Sequence, residues 1–181
     1  MKSSMWVMLL GLVLIGIVVL SVPLGCILSD YFKPNPQRPE ITYGEFPFRL
    51  EYEINGERVV VEDTVICKFD GFGVLGWGDG KHRKWKSWLA SDKNMDFVLL
   101  KTIDDSSKLF YTLGSAAYYM GDGPAHMYAP DYPTVHYHAV IEKPFNGGTL
   151  SSAVKADELL NKYGIRIINF EPSDPIVNTF I

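Results

Sequence analysis

Polarity along the chain changes character twice. From Ser3 to Ser29 no residue is charged, Trp6 to Leu20 is apolar apart from two glycines, and after Ser21 the apolar character resumes through Leu28. A helix needs about 20 apolar residues to cross the hydrocarbon core of a bilayer. Residues 5–29 therefore predict a single transmembrane helix, long enough to span with some tilt, behind a short tail of residues 1–4. Trp6 on one side and Tyr31 with Phe32 on the other bracket the run, where interfacial aromatics belong. Residues 30–40 come next as a linker. Within it Lys33 to Pro39 reads K-P-N-P-Q-R-P, and its three prolines favour an extended, semi-rigid spacer that lifts the domain off the bilayer.

The second change is to period two. Phe46, Phe48, Leu50, Tyr52 and Ile54 alternate with Pro47, Arg49, Glu51 and Glu53, then Asn55-Gly56 supplies the turn of a two-residue hairpin. Such a turn sets the register. Residue 54 is to pair with 57, 52 with 59 and 50 with 61, placing Val59, Val61, Val65, Cys67 and Phe69 on the apolar face. On the other face Glu53 should meet Arg58, and Arg49 should meet Glu62. Glu57 and Asp63 interrupt the apolar face, so the core should thin beside them.

Beyond the hairpin, Asp70 to Gly80 is glycine-rich and runs into the basic-aromatic stretch Lys81 to Trp88. Phe97–Thr102 and Leu109–Leu113 read as strands around a polar turn, Ser115–Met120 as one helical turn, and Thr134–Glu142 as a further strand. Ser151 to Tyr163 predicts the one good helix, with Ala153, Ala156, Leu159, Leu160 and Tyr163 in a stripe, Ser151 or Ser152 as cap and Gly164 closing it. Ile165–Phe170 is a last strand. The expectation is α+β: one soluble domain over residues 41–181, a mostly antiparallel sheet with one C-terminal helix packed on a face, preceded by the transmembrane helix.

Composition supports a folded body, with 47% apolar and 13% aromatic residues. Net charge is -4, and Lys2 is the sole charge before residue 30, so the remainder carries 16 basic against 21 acidic side chains. That balance argues against nucleic acid as a partner, since phosphate neutralisation needs a basic face. The two cysteines, Cys26 in the apolar run and Cys67 in the domain, are placed too differently to pair. Cys26 opens a second route of anchoring, by lipidation, although Pro23 stands where a lipoprotein signal usually has leucine. A cleaved signal would need a small-x-small site near the end of the run, and none stands out. Flanking charges nearly tie, Lys2 with the amino terminus against Lys33 and Arg38. A short N-terminal anchor that serves as an uncleaved signal puts the amino terminus inside and the domain outside the cytoplasm, at the cell membrane.

Three places could carry chemistry. His136 and His138 share one face of a strand, Glu142 follows on it, and His126 lies upstream. Over seven residues this H-x-H-x3-E spacing resembles the first metal motif of cupin-type barrels. No histidine follows His138 and Pro130 replaces the usual glycine, so the resemblance stops short of the family. These four residues are metal candidates, with solvent-facing histidines as the simpler reading and a divalent ion the only cofactor to weigh. Trp77, Lys81, Arg83, Lys84, Trp85 and Trp88 could engage an anionic polymer or lipid headgroups, or the tryptophans could simply pack inward. Tyr128 and Tyr132, in the aperiodic loop Gly121–Pro133, could stack on a sugar or peptide. No serine or cysteine is set beside a base. The sum is a membrane-anchored binding or structural module, leaning away from an enzyme, whose partners are membrane lipid through residues 5–29 and an envelope polymer or a membrane protein. A metal-dependent enzyme and an accessory subunit of a membrane complex are the alternatives.

Overall fold

A computed structural model of the chain describes residues 30–74, 80–105, 107–123, 139–145 and 148–181, with the backbone alone for those between 139 and 151. Two compact units emerge, one of Met1–Arg38 with Asp70–Lys84 and one of Pro39–Phe69 with Trp85–Ile181. The expected transmembrane helix lies outside the described residues. Among the described residues, no helix is long and apolar enough to cross a membrane.

The larger unit is built on the hairpin that alternation predicts. Strand β1 (Tyr43–Ile54) pairs antiparallel with β2 (Glu57–Val74), and Ile54 faces Glu57, Tyr52 faces Val59 and Leu50 faces Val61. Asn55 and Gly56 both take positive φ, 52° and 86°, which is the twist a tight hairpin requires. Phe46, Phe48, Leu50, Tyr52, Val65 and Cys67 are buried as a face. Asp63, which interrupts that face, is put to use. Its carboxylate accepts from the Thr64 amide at 2.7 Å, from the Ser91 amide at 3.3 Å and from the Ser91 hydroxyl.

The polar face departs from expectation in one pair. Arg49 Nε does meet Glu62 Oε1, at 3.3 Å. Glu53 and Arg58 are opposite in register, but the Arg58 guanidinium reaches diagonally to Glu51. Glu53 instead accepts from Arg166 Nη2 at 2.7 Å. The reason is non-local: strand β8 (Ile165–Glu171) lies antiparallel along the other edge of β1 and sets Arg166 beside Glu53.

Strand β3 (Lys81–Leu89) completes a four-stranded sheet in the order β3-β2-β1-β8. A second sheet, in the order β4-β5-β6-β7, is formed by β4 (Phe97–Asp104), β5 (Ser107–Thr112), β6 (Ala139–Phe145) and β7 (Gly148–Val154), each antiparallel to its neighbour. The mostly antiparallel character is as expected, but the strands form two sheets rather than one. Both supply a single core: Leu50, Val65 and Phe170 from the first meet Val98, Leu100, Leu109, Tyr111 and Val154 from the second. Rings knit the layers, with Tyr111 edge-on to Phe170 at 5.0 Å and Phe48 at 6.1 Å from the same ring. Each large side chain so buried is worth about 1.5–3 kcal/mol.

Helix α1 (Ala116–Tyr119) is the expected single turn, capped by the Ser115 hydroxyl, which accepts from the Tyr118 amide at 3.1 Å. Helix α2 (Ala156–Tyr163) is shorter than the predicted Ser151–Tyr163. Ser151, Ser152 and Ala153 belong to β7, where they pair with Glu142, Ile141 and Val140 of β6. Strand pairing satisfies their backbone groups, so neither serine is a cap. Lys155 takes the cap position with no side-chain hydrogen bond. The far end matches expectation: Leu159 and Tyr163 are buried, and Gly164 closes the helix in the left-handed region at φ 68°. The final residues, unassigned by pattern, are stitched back. Asn178 pairs its side-chain amide with both backbone groups of Ile41 and with the Met120 carbonyl, and the Glu40 amide donates to Thr179 O at 2.9 Å.

Candidate functional site

The smaller unit gathers the segment after the apolar run and the far end of the β2–β3 hairpin. Asp30 is the first charged residue after that run and is fully buried. One of its carboxylate oxygens, Oδ1, accepts from the Gly80 amide at 3.1 Å and pairs with Lys33 Nζ at 2.9 Å. Next to it Tyr31 and Phe32 stand exposed, at 61% and 86% of their surface. Arg83 donates to the Gln37 carbonyl at 3.1 Å, so the stretch read as a spacer is tied to the hairpin. Lys84 Nζ lies 3.4 Å from Asp70 Oδ2. Gly73 allows the strands to close: a Cβ there would sit 2.6 Å from His82 Cε1.

Alternation along β3 splits the basic-aromatic run between two faces. Lys81, Arg83 and Trp85 fall on one side, and His82, Lys84, Lys86 and Trp88 on the other. In the larger unit Trp85 turns inward. Its ring stands edge-on to Phe69 at 5.4 Å, and its indole N–H donates to Asp122 Oδ2 at 2.7 Å. The Trp88 indole nitrogen is buried without a hydrogen-bond partner among the described residues. Of the six predicted residues, Lys81, Arg83 and Lys84 sit in the smaller unit, Trp85 and Trp88 belong to the larger, and Trp77 lies outside the described residues.

The charged face of the first sheet is the second candidate. Glu51 is buried on it and held by two guanidiniums, Arg58 and Arg49, the latter through Nη1 at 3.1 Å. The hydrogen bond from Arg58, joined by that from Arg49, keeps its carboxyl below the ordinary glutamate range against the opposing effect of desolvation. Beside this cluster Pro47, Phe48, Arg49, Glu62, Asp63 and Glu171 line an open depression of about 490 Å³. Sequence reasoning missed both Asp30 and Glu51 as anchor points. The available signals were Lys33 at i+3 from Asp30, and arginines flanking Glu51 two residues before it and seven after.

The metal and loop candidates stand apart. His126, His136, His138, Tyr128 and Tyr132 lie outside the described residues, and Glu142 is placed by its backbone alone, in β6 opposite Ser151. Among the described residues no three His, Cys, Asp or Glu side chains gather around a common point. Cys67 is buried on the apolar face, and desolvation pushes its thiol up to about 12, which leaves it inert as a nucleophile at neutral pH. The chain matches no family model, no curated protein and no solved structure.

Proposed function

We propose that the chain is a single-pass membrane protein, anchored through residues 5–29, whose α+β body with one C-terminal helix acts outside the cytoplasm as a binding or structural module. One observation carries this reading: an uncharged run from Ser3 to Ser29 leads directly into Asp30, a buried carboxylate tied to the Gly80 amide. A run of that length and polarity suits a bilayer span. The tie at its end gives the β2–β3 hairpin a defined attachment in place of a loose tether. The partner best suited to the charged face of the first sheet is an envelope polymer or membrane protein that presents both signs of charge, because Arg49, Glu51, Arg58 and Glu62 alternate there in fixed pairs.

Fractionation of cells expressing the full chain tests the anchor. The protein should stay with membranes through an alkaline carbonate wash, and a variant beginning at residue 30 should not. An impermeant amine reagent applied to intact cells should label the domain's lysines. Recovery of the full chain in the soluble fraction overturns the anchor, and labelling only after lysis overturns the orientation. Partners that co-purify in mild detergent with the wild type and not with Arg49→Glu would identify the bound class.

A further inference from the structure

We infer that the smaller unit is a headgroup-binding foot, in which Arg38, Lys81 and Arg83 contact the anionic phospholipids of the bilayer that holds the anchor; this rests on the anchored reading above. Three observations converge on it. The first is placement. Asp30 follows the apolar run directly, and Gly80 is hydrogen-bonded to it at 3.1 Å. A strand rises about 3.3 Å per residue, so Lys81 to Lys84 lie within roughly 13 Å of Gly80 along the chain. The headgroup region of one leaflet is about 6 Å deep, and surface potential reaches about 8 Å further at physiological salt. The whole basic stretch thus falls within the field of the lipid surface.

The second observation is charge. Leaving out Lys2, which stands on the other side of the apolar run, the smaller unit carries five basic and three acidic side chains, a net +2, while the larger carries 11 against 18, a net -7. Two of the three acids, Asp30 and Asp70, are each paired with a lysine of the same unit. The positive excess is concentrated in the residues that adjoin the apolar run, where an anionic surface attracts it and the rest of the chain would be repelled.

The third observation is the company these residues keep. Tyr31 and Phe32 are large, adjacent and exposed at 61% and 86%. Aromatic rings so exposed are at home in the interface between hydrocarbon and water, next to basic groups that reach the phosphates. The hydrogen bonds from Arg83 to the Gln37 carbonyl and from the Gly80 amide to Asp30 hold the hairpin to that segment, so aromatic and basic groups are presented together.

Full-length protein in nanodiscs tests the contact. One set of discs contains phosphatidylcholine alone and the other phosphatidylcholine with phosphatidylglycerol. Amine acetylation is read residue by residue by mass spectrometry. Lys81 should react more slowly in the anionic discs, by about fivefold, with Lys162 in the larger unit as an unaffected reference. Added salt should restore its rate, and Arg38→Gln with Arg83→Gln should abolish the difference between discs. Equal rates in both discs, with the protein still in the disc on size exclusion, overturn the lipid contact and leave the anchor standing. Protein that elutes apart from the discs overturns both.

Discussion

Gly121 takes a φ of 64°, and a Cβ placed on it would collide with the Ile176 carbonyl. The turn after α1 and the returning C-terminal tail therefore meet at a position that admits no side chain. Gly121→Ala should lower stability by about 1–3 kcal/mol, read as a drop in the urea midpoint at unchanged slope. Cys67 makes a complementary prediction. Its buried thiol, pushed up to about 12, should resist iodoacetamide at pH 8 in the folded protein and react at once in denaturant. Glu51 links structure to pH. Its folded carboxyl lies below the ordinary 4.5, so its contribution is present above the unfolded value and is lost as pH falls through the folded one. Glu51→Gln should flatten the acid limb of a stability-against-pH curve below about pH 4.5 and leave the limb above neutrality unchanged.

Two elements meet through their ends. The Asn55 amide, in the β1–β2 turn, donates to the Gly164 carbonyl at 3.0 Å, and a Cβ at Gly164 would lie 2.8 Å from Asn55 Oδ1. The helix cap thus rests on the hairpin turn. Gly164→Ala should cost about 1 kcal/mol from the left-handed φ alone, and more from the contact. Amide exchange should then accelerate in both the turn and the last turn of α2, and a change confined to the helix would refute the coupling. The hairpin itself was legible because Asn55-Gly56 and period-two alternation are short-range signals that agree with each other. The start of α2 was not. Ala153 and Ala156 sit at helical spacing, yet pairing with β6 holds residues 148–154 as a strand. A spacing rule sees neighbours along the chain and is blind to a partner edge.

Both sheets and both helices of the larger unit contribute to one apolar core. Its unfolding should accordingly be a single transition in urea, with far-UV and near-UV circular dichroism superimposing. Two separated transitions would show that the sheets are independent. Of the candidate sites, the basic character of Lys81 to Lys84 could be read from sequence, but the division of that run between two faces and two units could not. Trp85 shows why: whether an indole binds a ligand or packs on Phe69 and Asp122 depends on residues far from it in sequence.

The amino-acid sequence alone determines the uncharged run of residues 3–29, the β1–β2 register, the helical turn within Ser115–Met120 and the glycine stop at Gly164. Each arises from side-chain polarity, periodicity or backbone preference within a few residues. Folding in three dimensions decided the rest: two sheets in place of one, Arg166 as the partner of Glu53 across 113 positions, Asn178 against Ile41 across 137, and Asp30 bound to Gly80 across 50. Those contacts depend on which strand edges and buried polar groups meet once the chain has collapsed, and every unpaired backbone group or charge then takes the nearest satisfactory partner. Local pattern carries no record of that choice.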